Sequence, residues 1–80
     1  MADVLRTASG FKKGYDKTAV LALVDRLNTV KAQYEKNAIS RDEALAQLID
    51  LRNYTELPLR RGGFVEEDVE NYISSIIDGI

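Results

Sequence analysis

Ile39-Ser40-Arg41-Asp42-Glu43-Ala44-Leu45 marks where one helix must end and another begin. Ser followed three positions later by Glu is a capping box. The Ser hydroxyl accepts from the N3 amide, and the Glu carboxylate reaches back to the N-cap amide. Ile39 stands at the position of a hydrophobic staple, with Ala44 opposite it at N4. Downstream, Ala44, Leu45, Leu48, Ile49 and Leu51 cover an arc of roughly 160° at 100° per residue. Such a wide face suits a helix sandwiched between two others. Asn53-Tyr54-Thr55 closes it, and Pro58 forbids continuation.

Upstream of the box lies a second amphipathic pattern. Asp16 is a good N-cap residue after the Gly14-Tyr15 turn. Val20, Leu23, Leu27, Val30 and Tyr34 then recur at alternating spacings of three and four, which is a heptad-like stripe. A third pattern follows Gly62-Gly63. Val69, Tyr72, Ile73, Ile76, Ile77 and Ile80 form its apolar face. Its first turn holds Glu66, Glu67 and Asp68, with Glu70 just beyond, where a helix dipole favours negative charge. No metal loop has this acid spacing. The fold expected is all-α: helices near 16–36, 41–53 and 65–78. The first two form an antiparallel hairpin, the third returns over them, and residues 1–14 form an irregular arm.

The two ends of the chain share a pattern. Lys12-Lys13-Gly14-Tyr15 leads into Val20, Leu23-Val24 and Leu27. Arg60-Arg61-Gly62-Gly63-Phe64 leads into Val69, Tyr72-Ile73 and Ile76. At an offset of 49, Gly14-Tyr15 falls on Gly63-Phe64 and the apolar positions coincide. Each basic pair is preceded by an apolar residue, Phe11 or Leu59. The reading is a duplicated loop–helix unit at about 10–27 and 59–76 within a single domain spanning 1–80. Gly14 and Gly63 are expected at positive φ, with Tyr15 and Phe64 plugging the core.

The 80 residues include no Cys and no His. Disulfides, thiolate metal sites, a Cys nucleophile and the commonest general base are therefore excluded. Carboxylates, Lys and Tyr scattered on helix faces make no catalytic constellation, so neither a catalytic nor a cofactor or metal site is expected. Composition is globular, with 45% hydrophobic and 30% charged residues. Net charge is −2, which argues against general nucleic-acid binding. The charge is uneven: residues 65–80 hold five acids and no base, while all 11 bases lie before them. Nothing at the amino end reads as a targeting signal, so the cytoplasm is the expected location.

Gly10-Phe11-Lys12-Lys13-Gly14-Tyr15-Asp16, followed by Val20 and Leu23-Val24-Asp25, resembles the amino-terminal motif of the DivIVA family. These are bacterial scaffold proteins of cell division and polarity. A weaker copy, with Val65 in place of the Asp, covers 59–76. The resemblance implies a dimeric, helical, non-enzymatic adaptor peripheral to the membrane, with Phe11 and Lys12 or Lys13 at a tip that dips into lipid. The chain departs from the family's pattern in one extra basic residue before Gly14, and its 80 residues contain no long coiled-coil tail. Tyr34 to Ala44 is more faintly similar to the helix–turn–helix of short bacterial oligomerisation modules, the SHOCT domains; an ordinary helical hairpin with a good cap is the preferred account of it.

Phe11, Lys12, Lys13, Leu59, Arg60 and Arg61 are thus the candidate membrane or partner loops. The preferred reading of Phe11 is that it tucks back over the bundle and leaves its Lys neighbours solvated. Ile73, Ile76, Ile77 and Ile80 are the candidate self-association face, because an apolar end needs covering and small scaffolds without staples tend to oligomerise. The function expected is a small adaptor that self-associates as a homodimer, binds another protein and makes a weak anionic membrane contact. The other reading is a small regulator that binds nucleic acid, or an enzyme acting on it, through the Lys and Arg loops.

Overall fold

The computed structural model describes residues 5–80. Its elements run β1 (Lys13–Tyr15), α1 (Lys17–Glu35), α2 (Arg41–Tyr54), β2 (Leu59–Arg61) and α3 (Glu66–Asp78). The three helices lie where the apolar patterns and caps place them. Asp16 caps α1 by accepting from the Ala19 amide at 3.0 Å. The capping box of α2 is complete: the Glu43 amide donates to Ser40 Oγ at 3.1 Å, and the Ser40 amide donates to Glu43 Oε1 at 3.3 Å. Between the two helices, Asn37 takes φ 61°. The Ala38 amide donates to the Gln33 carbonyl and the Asn37 amide to the Tyr34 carbonyl. This Schellman motif turns the chain back within four residues, and Asn tolerates its left-handed position.

Val20, Leu23, Leu27 and Val30 of α1, Ala44 and Leu48 of α2, and Val69, Ile73 and Ile76 of α3 form one core. α2 packs against both α1 and α3, but its wide apolar face is only partly used: of its five residues only Ala44 and Leu48 are buried, and Ile49 is exposed. Two of the four residues proposed for self-association are also spoken for: Ile73 and Ile76 lie in the chain's own core, while Ile77 and Ile80 pack half-buried at its edge. A surface formed by all four is therefore ruled out, because α3 turns Ile73 and Ile76 onto α1 and α2.

The chain is mostly helical but not strictly all-α. β1 and β2 pair antiparallel, with Lys13 opposite Arg61, Gly14 opposite Arg60 and Tyr15 opposite Leu59. The arm expected to be irregular over 1–14 thus ends in a strand, and Thr7 forms a further bridge with Phe64; its first four residues lie outside the described ones. The two glycine–aromatic turns meet each other. The Tyr15 amide donates to the Phe64 carbonyl at 2.8 Å, and the Phe64 amide donates to the Tyr15 carbonyl at 2.9 Å. This exchange is reciprocal at the offset of 49, so the two patterns pair within one chain. The helix leads match as well: φ and ψ are −53° and 126° at Asp16, −57° and 126° at Val65.

Gly14 and Gly63 lie at this crossing, and their role differs from the one expected. Neither has positive φ; Gly10 and Gly62 do, at 65° and 76°. What Gly14 and Gly63 supply is clearance. A Cβ on Gly14 would stand 2.1 Å from the Phe64 carbonyl oxygen, and one on Gly63 would stand 2.3 Å from that of Tyr15. From the crossing α1 and α3 both start at their amino ends and run side by side.

Candidate functional site

The strand pair is a consequence of that crossing, and it places the two predicted loops next to each other. Phe11 is 89% exposed and Leu59 is 51% exposed. The expectation that Phe11 folds back over the bundle therefore fails: the ring stands out from the body. Its neighbour is Arg61, whose guanidinium lies 5.7 Å from the ring centroid. Lys12, Lys13, Arg60 and Arg61 are all exposed at the same end. All six residues proposed for the loops are thus brought together, by backbone pairing that no periodicity signalled.

Their electrostatics are unbalanced. Lys13 stands directly opposite Arg61 across the ladder, and like charges in that position repel. Arg60 Nε is paired with Asp16 Oδ1 at 2.9 Å. Among the described residues no carboxylate lies within ion-pair distance of Lys12, Lys13 or Arg61. The end therefore offers two apolar tips and three cations in no direct ion pair among the described residues, with Glu66 and Glu67 across a shared pocket from Lys12 and Lys13. An anionic surface would relieve the Lys13–Arg61 repulsion while the tips enter its apolar layer.

Beneath this end a polar triad locks β1 to the helices. Tyr15 Oη donates to Glu70 Oε2 at 2.9 Å. Arg52 Nε donates to Glu70 Oε1 at 2.8 Å, and its Nη2 donates to Oε2. The Arg52 hydrogen bonds hold the Glu70 carboxyl below its ordinary value, against the opposing effect of burial. Burial first, then the bond to Glu70, push the Tyr15 phenol up. Glu70 belongs to the acid cluster, which helix-dipole compensation alone accounted for at the level of sequence. Its partners lie 18 and 55 residues away, so no local pattern could reveal them.

Two further features were not legible. Asp68, in the same cluster, is clasped by Arg6, whose hydrogen bonds hold its carboxyl down at about 2. An open groove of about 640 Å³ runs along the α1–α2 hairpin, lined in part by Arg26, Val30, Asp50, Leu51 and Tyr54. Among the described residues no group of three or more acids gathers as a metal site, and no helix is long and apolar enough to cross a membrane. No family model, curated protein or solved structure matches the chain.

Proposed function

We propose that this chain is a small non-enzymatic adaptor that self-associates and binds another protein, with its paired-loop end resting on an anionic membrane surface. The setting, bacterial division or polarity, follows from the resemblance of residues 10–25 to the DivIVA motif. The observation that carries the docking end is the β1–β2 pairing, which puts Phe11 and Leu59 among Lys12, Lys13, Arg60 and Arg61. One loop alone supplies two cations and one ring. Each Lys or Arg near an anionic leaflet contributes about 1 kcal/mol, so the Lys12-Lys13 loop gives about 2 kcal/mol, and pairing the loops in one chain adds Arg61, Arg60 being held by Asp16. That sum is still weak, and self-association would convert it into stable binding through avidity.

Pelleting with vesicles of mixed zwitterionic and anionic lipid tests this reading. The wild type should sediment with anionic vesicles, less so as salt rises, and not with neutral ones. Phe11→Ala should lose the binding and keep its melting temperature, because so exposed a ring buries little area on folding. A wild type that leaves anionic vesicles in the supernatant would remove the membrane from the reading. A salt-dependent shift of duplex DNA would favour the nucleic-acid regulator instead.

A further inference from the structure

The segment Leu5–Ala8 and the first turn of α3 border the docking end at Lys12 and Lys13, and they hold each other. The Arg6 amide donates to Asp68 Oδ2 at 3.0 Å, Arg6 Nε donates to the same oxygen at 2.8 Å, and Nη2 donates to Oδ1 at 2.9 Å. The Arg6 carbonyl accepts from the Val65 amide at 2.8 Å, and the Ala8 amide donates to the Gly63 carbonyl at 2.7 Å. Leu5 packs at the core's edge and Thr7 bridges to Phe64. Four successive residues thus act as an added strand along Gly63–Val65, with a bidentate guanidinium–carboxylate clasp at its start.

The other hairpin carries a partial counterpart. The Asp16 amide donates to the Pro58 carbonyl at 2.7 Å, and Arg60 Nε makes a single ion pair with Asp16 Oδ1 at 2.9 Å. That copy is held in register by the β1–β2 ladder. The Leu5–Ala8 copy joins the rest of the described chain through one turn, Ser9–Lys12, where Gly10 has φ 65° and open space around it. The Arg6 side chain is 68% exposed, and exposed pairs hold weakly against solvent and salt. The arm is a portable strand on a glycine hinge. Its seat offers a sheet edge, a place for Leu5 and a carboxylate, which is complementary in charge and hydrogen bonding to this chain's own arm.

We infer that the arm exchanges between copies: Leu5–Ala8 of one chain seats along Gly63–Val65 of a second copy, Arg6 on that copy's Asp68, in a reciprocal two-fold dimer. Every arm–seat contact of the closed chain is kept and only the Ser9–Lys12 turn opens, so concentration and hinge geometry decide between the two forms, as in other domain swaps. The inference rests on the self-association reading above and assigns it an interface at the first turn of α3, away from Ile73–Ile80.

Charge reversal tests it in the full chain. Arg6→Asp places a carboxylate against Asp68, and Asp68→Arg places a guanidinium against Arg6, so neither variant seats its own arm. Mixed, each arm finds a complementary seat only on the other variant. Native mass spectrometry should show each variant alone as a monomer, and the mixture as a heterodimer of roughly double mass. One chain carrying both reversals should close on itself and show whether the reversed pair is workable. Two folded variants that stay monomeric on mixing, with the doubly reversed chain closed, overturn the inference. If Asp68→Arg alone loses its helical signal, thiols give a second reading: a Thr7→Cys chain and a Phe64→Cys chain form a mixed disulfide if the arm exchanges, and none if it does not. A wild-type dimer that Arg6→Asp leaves intact would overturn arm exchange while self-association stands. A monomeric wild type would overturn both, even if the reversed variants pair on mixing.

Discussion

Four glycines near the hairpins divide into two kinds, and substitution separates them. Gly14→Ala or Gly63→Ala drives a methyl into backbone carbonyls that belong to the crossing itself. Backbone cannot turn aside as a side chain can, so the Tyr15–Phe64 hydrogen bonds must open. The cost should reach or pass the upper end of the ~1–3 kcal/mol usual for overpacking. Gly62→Ala meets open space but keeps φ 76°; its left-handed strain of ~1–2 kcal/mol is partly offset by the smaller entropy of the unfolded chain. Urea midpoints of the three variants should therefore rank Gly62→Ala well above the other two. The sequence pattern picked out Gly14 and Gly63 correctly as a matched pair but assigned them the wrong need, because a turn and a close approach both select glycine. Asp68 supports a second prediction at this scale. Its carboxyl, ordinarily near 3.8, is held at about 2 by the Arg6 hydrogen bonds. A depressed carboxylate pKa stabilises the fold above the unfolded value, and that contribution is lost as pH falls from about 4 towards 2. Asp68→Asn should remove this part of the acid sensitivity, read as a flatter dependence of the urea midpoint on pH over that window. Glu70, also depressed by its partner, should leave a residual slope in the variant.

At the scale of elements, helices were legible and strands were not, for a physical reason. A helix announces itself through caps and a repeat that persists over three or four turns, and α1, α2 and α3 have apolar repeats, two of them with caps as well. The Ser40 box is complete, so Ser40→Ala should cost about 1 kcal/mol, since the Glu43 amide loses its acceptor. In a chain of this size that lowers the melting temperature by roughly 4–8 °C. An unchanged melt would mean that α2 draws nothing from its cap. β1 and β2, by contrast, have three residues each. Three residues cannot display alternation, and Lys13-Gly14-Tyr15 and Leu59-Arg60-Arg61 have no common strand composition. Their pairing joins residues 44 to 48 positions apart beside the crossing of two turns, and only the matched spacing of those turns hinted at it. The same holds for the polar ties. Arg6–Asp68 and Tyr15–Glu70–Arg52 join residues that nothing in the local sequence connects, so the acid cluster read as dipole compensation. The width of the α2 face misled in the opposite direction: Ile49 is apolar at the right angle, yet no element covers it.

For the whole molecule, the proposed self-association calls for a surface, and two α3 residues four positions apart test together where it lies. Ile73 is 2% exposed. A carboxylate there would have no partner, and an unpaired buried charge costs several kcal/mol. Small domains have a stability of only about 5–15 kcal/mol, and short chains lie at the low end. Ile73→Glu should therefore abolish the cooperative thermal transition. Ile77 lies at the rim, half-buried beside the core and within reach of water. A carboxylate there can swing outward, so Ile77→Glu should melt cooperatively with a modestly lowered midpoint. Mass by light scattering then discriminates between interfaces. If copies meet through the exposed flank of α3, Ile77→Glu gives a folded monomer. If they meet by exchanging Leu5–Ala8, Ile77→Glu keeps the mass of the wild type, because the arm's seat on Gly63–Val65 and Asp68 lies at the other end of that helix. The second outcome is the expected one. It agrees with a core that takes Ile73 and Ile76 for itself and leaves α3 only a narrow apolar edge.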